Sequence, residues 1–255
     1  MGAMARSRKS SASGPANAAQ GDADLPPWRK RRRRRRRVRS ALRRAILGVL
    51  AVVLGVTLLY KVVNPPTTPY MFSEGRRTDG VAQFWLPMDD IAPVMARSVV
   101  AAEDANFCLH WGLDVTAIRA ALAAGGDRGA STISQQVVKN VFLWQGRNWT
   151  RKAIEAVWTP LTEVLWSKRR ILELYLNVAE FGDGIFGVQA AAQHYFGVDA
   201  ADLTPVEAAR LAMVLPDPKG RDAANPTTAQ RRRSSSILDG AATIAADGRA
   251  ACFES

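Results

Sequence analysis

The chain has 255 residues, enough for one sizeable domain with appendages. Its formal charge of +12 is concentrated at one end: residues 1–44 hold fifteen Lys/Arg and two Asp, and the rest hold twenty Lys/Arg against twenty-one Asp/Glu. The body is therefore close to neutral, so nucleic acid could be held only by the tail, and two His with two Cys leave almost no room for a zinc-type cluster.

Residues 1–28 are rich in Ala, Ser, Gly and Pro, a composition that favours disorder. Arg29–Arg39 then places ten basic residues in eleven, and Ala45–Tyr60 follows with sixteen uncharged residues. With Lys61 snorkelling, the apolar stretch approaches the ~20 residues that cross a bilayer core. A cleaved signal peptide would need small residues after the apolar stretch, and Leu58-Leu59-Tyr60-Lys61 offers none. The arginines predict a cytoplasmic N-terminus with the body on the other side. The expected organisation is a disordered basic cytoplasmic tail over 1–40, a membrane helix over 41–63, a stiff Pro-rich linker over 64–80 and a folded domain over 81–255. The pairing of Cys108 with Cys252 is left open by spacing alone.

From about residue 85 onward helical periodicity prevails and strand alternation is not evident. Asp89/Asp90 can cap a helix whose stripe runs Ile91, Val94, Met95, Ser98, Val99 and Ala102 and which delivers Glu103-Asp104 at its end. Thr132 followed by Gln135 fits a capping box. At 100° per residue Ile133, Val137, Val138, Val141 and Phe142 gather on one side of that helix, and Thr132, Gln135, Gln136 and Lys139 on the other. That polar row suits a ligand rich in hydroxyls and phosphate, and an ordinary solvated face has the same pattern. Ile154, Val157, Leu161, Val164 and Leu165 mark the expected buried stripe of a further helix, with Arg151 and Glu155 one turn apart beside it. Pro160 is expected to kink it. Gly182, Gly184 and Gly187 read as a tight loop into a helix starting near Val188, and Thr204–Leu215 as a helix stopped by Pro216. Two carboxylates, Glu103 and Glu155, plus a cationic grip of Lys139, Arg151 and Lys152 suggest glycosyl transfer from a diphosphate donor.

The stretches "EDANFCLHWG" (103–112), "GASTISQQVVKN" (129–140), "RKAIE…SKRRILELYLN" (151–177), "FGDGIFGVQAAAQHYFG" (181–197) and "LTPVEAARLAMVLPDP" (203–218), in this order, resemble the five motifs of the family 51 peptidoglycan glycosyltransferases. The resemblance is to the monofunctional, membrane-anchored kind. It implies a mainly α, lysozyme-like two-lobed domain behind one N-terminal transmembrane helix. Its implied reaction polymerises lipid II into β-1,4 glycan with inversion, releasing undecaprenyl diphosphate. Carried over by position, Glu103 would be the general base and Glu155 the second essential carboxylate. Asp104, Phe107, His110, Gly129, Ser131, Thr132, Gln135, Gln136, Lys139, Asn140, Arg151 and Lys152 would bind substrate. No dedicated metal ligands are expected, although Mg or Mn could assist at the diphosphate. The implied partners are lipid II, polyprenyl-linked glycan, the inner membrane and other wall-synthesis proteins. Ala130 stands where the family's motif has a second Gly. Trp144 and Trp149, around Arg147, could dip into the membrane interface or pack in the core. A glycan hydrolase and a non-catalytic scaffold remain the rival readings. No transpeptidase-sized segment follows residue 220.

Overall fold

A computed structural model describes residues 26–123, 125, 131–146 and 148–254. The expected tail over 1–25, Gly129, Ala130 and Arg147 lie outside the described residues. The chain divides into Met1–Val56 and Thr57–Ser255.

In the first unit one helix, α1 (Pro27–Tyr60, whose last turn belongs to the second unit), carries both the arginine run and the apolar stretch. It begins well before residue 41, which corrects the expectation of a disordered tail reaching residue 40. Arg is a good helix former, and extending a helix that already exists costs far less than nucleating one. Its apolar window has a mean hydropathy of 2.1 and is 6% buried, whereas a core helix of a soluble protein would be mostly buried. The helix is long and apolar enough to cross a membrane.

The second unit is mainly helical. The stretch expected as a linker holds α2 (Pro69–Arg77), because Thr68 caps it and Pro69 sits in its first turn, where a missing N–H costs nothing. A short strand β1 (Ala82–Gln83) leads through a 3₁₀ turn to α3 (Pro93–Glu103). Asp89 and Asp90 lie in that turn and not at the cap of α3, which follows Ala92 without a side-chain hydrogen bond. Then come α4 (Val115–Ala123), α5 (Ile133–Phe142), α6 (Trp149–Leu165) and α7 (Lys168–Val178). The hairpin β2 (Glu180–Gly182) and β3 (Ile185–Phe186) follows, then α8 (Val188–Phe196), α9 (Pro205–Val214), α10 (Thr228–Ala246) and α11 (Ala251–Glu254).

The three strands form a small sheet of order β1-β3-β2, with β1 parallel and β2 antiparallel to β3. At two or three residues each, they are too short to display alternation in sequence. Gly187 caps α8 at φ 82°, and a Cβ there would lie 2.9 Å from the carbonyl oxygen of Asn177, so this turn requires glycine. The helical assignment of α6 passes through Pro160 unbroken.

The core gathers Met95 and Val99 of α3, Ile133 and Val137 of α5, Ile171, Leu172, Leu174 and Tyr175 of α7, and Leu211 of α9, all essentially inaccessible. Inside it, Asn177 fastens the segment before α3: its Oδ1 accepts from Leu86 N–H at 2.8 Å and its Nδ2 donates to Leu86 C=O at 2.9 Å. A disulfide joins Cys108 to Cys252 across 144 residues.

The last turn of α1 is tied to the body. Trp158 Nε1 donates to Thr57 Oγ1 at 2.9 Å, and Trp166 Nε1 donates to the Thr57 carbonyl at 2.8 Å. Arg170 donates to the carbonyls of Tyr60 and Val63, and Tyr60, Trp158 and Trp166 surround Phe142. A chain starting at Thr57 will therefore melt close to the full chain in detergent. A chain starting at Asn64 leaves the buried indole of Trp166 unpartnered and will lose about 2–4 kcal/mol, read by thermal denaturation.

Candidate active site

The site is assembled around the N-terminus of α5. Thr132 closes a reciprocal capping box: its Oγ1 accepts from Gln135 N–H at 3.2 Å while Gln135 Oε1 accepts from Thr132 N–H at 3.1 Å. Thr132 Oγ1 also donates to Gly112 C=O at 2.6 Å. Asp104 adds a second anchor, its Oδ2 accepting from Ile133 N–H at 3.0 Å, a carboxylate placed where a helix N-terminus favours negative charge. Its Oδ1 is 2.8 Å from His110 Nε2. Gly112 N–H donates to His110 Nδ1 at 3.1 Å, so in the neutral ring the proton sits on Nε2 and points at Asp104.

These contacts engage five of the expected substrate ligands inside the protein. Asp104, Thr132 and Gln135 are buried, with both Asp104 oxygens, the Thr132 hydroxyl and Gln135 Oε1 hydrogen-bonded inside the protein. Phe107 has no exposed surface and packs against Phe253, with Lys168 Nζ 4.4 Å above its ring. His110 is consumed by Asp104 and Gly112. The five build the platform on which the site stands.

On this platform α3 ends at Glu103. Gln136 Nε2 donates to Glu103 Oε2 at 2.8 Å, and Gln136 Oε1 accepts from Tyr175 O–H at 3.1 Å, so the carboxylate is aimed by a glutamine that is itself aimed. Burial pushes the Glu103 carboxyl above its ordinary value, opposed by the Gln136 hydrogen bond and the charges of Arg233, Lys139 and Arg221. One turn along α5, burial holds the Lys139 ammonium below the usual lysine value, while Glu155 and Glu103 draw it back up and Arg151 and Lys152 press it down. Lys139 thus feels both carboxylates at once, and the polar row of α5 is not a solvated face. Asn140 is buried and accepts from Gln145 Nε2 at 3.3 Å.

Glu155 is buried on α6 and held by two cations: Arg151 Nη1 donates to its Oε2 at 2.9 Å, and Lys152 Nζ donates to its Oε1. Lys152 also donates to Ser131 Oγ at 3.1 Å. Two of the three cations expected to grip phosphate thus share one carboxylate, and the pair of them with Glu155 keeps a net positive charge. They line an open depression of about 290 Å³ with Asn148 and Trp149. A second cavity of about 220 Å³ is lined by Gln136, Lys139, Asn140, Tyr175, Tyr70 and Glu180 among others.

The burial of α6 departs from the expected one, although Leu165 of the expected stripe does pack on the core. Glu155, Thr159, Thr162 and Glu163 face inward, while Val157 is 79% and Val164 70% exposed. Trp144 and Trp149 are exposed as well, so neither packs in the core. Glu163 is the functional neighbour that sequence reasoning missed: it accepts from Ser134 Oγ and from Lys168 Nζ at 2.8 Å, locking α5 to α7. Its signal was present as a polar row at helical spacing, 155, 159, 162 and 163, opposite the apolar one.

Among the described residues, the acids close enough together to share a cation are Glu74, Glu180 and Asp183. Arg77 pairs with Glu74 and Asp183, and Lys219 Nζ lies 2.8 Å from Glu74 and 3.8 Å from Glu180. Two cations already compensate this cluster. Around Glu155 the described side chains in contact are Arg151, Lys152 and, through Lys152, Ser131.

With this geometry in hand, residues 73–242 match the family described as Transglycosylase. The chain belongs to the transglycosylase family. Three curated relatives, each called "Biosynthetic peptidoglycan transglycosylase", are similar over most of their length. The one from Jannaschia sp. (strain CCS1) is 60% identical over 216 residues, covering 85% of this chain and 90% of its own. The one from Xanthomonas oryzae pv. oryzae (strain KACC10331 / KXO85) is 52% identical over 224 residues, 84% and 89% of the two chains. The one from Caulobacter vibrioides (strain ATCC 19089 / CIP 103742 / CB 15) is 42% identical over 223 residues, 84% and 97%. Family membership agrees with the mainly α, lysozyme-like class expected from the motifs, and the matched stretch contains every residue of the platform and both carboxylates.

Proposed function

We propose that this transglycosylase polymerises lipid II into linear β-1,4 glycan strands of peptidoglycan, passing the growing polyprenyl-linked chain to the 4-hydroxyl of the incoming GlcNAc. The observation that carries the reading is the cavity lined by Lys139 and by Gln136, the side chain that aims Glu103. Glu103, partly desolvated and aimed by Gln136, takes the acceptor proton. The freed oxygen attacks the anomeric carbon, undecaprenyl diphosphate departs from the opposite face, and the configuration inverts. Lys139, Arg151 and Lys152 oppose the charge growing on the diphosphate, where fixed cations act most strongly on the rate.

Glu155 is a positioning residue in this account. It holds Arg151 and Lys152 side by side before substrate arrives, so their arrangement costs nothing at the moment of transfer. A hydrolase on the same frame would need no phosphate grip. Purified enzyme incubated with labelled lipid II should yield polymer; shortening of preformed glycan with no polymer from lipid II would reverse the assignment.

The body sits on the periplasmic side of the inner membrane, with the arginines cytoplasmic. The Cys108–Cys252 bond supports this orientation, since disulfides persist on the oxidising side. The outward apolar row of α6, with Trp144 and Trp149, rests in the interface, where indole is favoured. Val157→Asp with Val164→Asp, introduced in the chain starting at Thr57, should reduce binding to lipid vesicles by roughly tenfold while leaving the melting temperature intact. Unchanged cosedimentation would remove α6 from the interface.

A further inference from the structure

Residues 249–254 lie beyond the stretch matching the family, yet they close around the segment that carries Glu103. Ala102 C=O accepts from Arg233 Nη2 at 3.1 Å, and Ala105 C=O accepts from Arg249 Nη1 at 3.1 Å. The peptide groups on either side of Glu103-Asp104 are thus each held by an arginine from the C-terminal end. Three residues further, Cys108 is bonded to Cys252, with their Cα atoms 5.7 Å apart. Phe253 is fully buried with its ring 6.4 Å from that of Phe107, and its carbonyl accepts from Arg169 Nη1 at 3.0 Å. Glu254 pairs at 3.2 Å with Arg97, on the same helix as Glu103. A helix as short as α11 has no stability of its own. Its order comes from these ties, and the tie that cannot be traded for water is the covalent one.

We propose that residues 249–254 form a disulfide-locked clasp that fixes the backbone of Glu103 for transfer, with Arg249 and the Cys108–Cys252 bond as its positioning elements. The proposal rests on the reading of Glu103 as general base. Opening the clasp takes a dithiol: its first thiolate attacks one sulfur and its second thiol resolves the mixed disulfide. Two electrons and two protons pass to Cys108 and Cys252, which leave as thiols while the reductant becomes a disulfide.

The test uses the full chain in detergent, oxidised and after reduction with dithiothreitol, beside Arg249→Met and Arg249→Lys with the bridge intact. With labelled lipid II, reduction and Arg249→Met should each lower kcat by about tenfold with KM within about twofold, because the base is misplaced and the binding groups are not. The acid limb of the pH profile should move to lower pH as water reaches the Glu103 carboxylate, and Arg249→Lys should restore both. Amide hydrogen exchange, which needs no activity, should quicken at residues 103–108 on reduction. Exchange that quickens only at 249–254, with kcat and the acid limb unmoved, overturns the clasp. So does global unfolding on reduction with Arg249→Met indistinguishable from the parent, since the bridge is then a stability staple alone. If the oxidised parent makes no polymer, the functional reading falls, and hydrogen exchange still decides the clasp.

Discussion

Glu103→Gln will abolish polymer formation, lowering the rate by on the order of 10²–10⁴, and the folded protein will be at least as stable as the parent above neutral pH. The two outcomes have one cause. Burial raises the carboxyl above its ordinary value of 4.5, so the folded chain favours the protonated form. Such a group contributes stability below its unfolded pKa and loses that contribution as pH rises through the folded pKa. At pH 4 the acid and the amide are both uncharged and the two proteins should melt together. At pH 8 the parent keeps a desolvated negative charge that the variant lacks, so the variant should melt higher. Activity of the parent should follow the opposite course, rising with pH as the base form fills, with its midpoint above the usual glutamate range. Calorimetric scans at the two pH values, with lipid II assays across the same range, check both. A variant that melts lower than the parent at pH 8 would show that the Gln136 contact outweighs the cost of desolvation.

Asp104→Ala will be the most damaging single change to the platform, costing about 3 kcal/mol. It leaves the buried Ile133 N–H and the His110 Nε2–H without acceptors and removes negative charge from the N-terminus of α5. For a body of this size that corresponds to a fall in melting temperature of roughly 6–12 °C. Asp104→Asn keeps one acceptor oxygen and should recover about half of the loss. Because both Asp104 oxygens are engaged inside the protein, KM should stay near the parent value in whatever fraction remains folded. A rise in KM with unchanged melting would return Asp104 to the role of ligand.

Much of the site was legible because its physics is local. The capping box at Thr132 and Gln135 and the delivery of Glu103 by an apolar helix follow from spacing within a few residues, and the order of five motifs pointed to the family. What failed depended on partners distant in sequence. Asp104 is carried over as a ligand by the motif, and one of its two partners, the Ile133 N–H, lies 29 residues further along the chain. The pairing of Cys108 with Cys252 is likewise a matter of tertiary proximity. The stretch from Pro27 to residue 40 is helical for a different reason: continuity with an apolar helix propagates helicity back to Pro27. The burial of α6 is the most instructive case. Periodicity located a polar and an apolar row, and the fold buries Glu155 and Glu163 of the first while exposing Val157 and Val164 of the second.

That exposure carries a practical consequence. A soluble body cut free at Thr57 would still display the valines of α6 and two indoles to aqueous buffer, where such a surface recruits whatever covers it. Its hydrodynamic size should therefore grow with concentration in plain buffer and collapse to that of one chain above the critical micelle concentration of a mild surfactant.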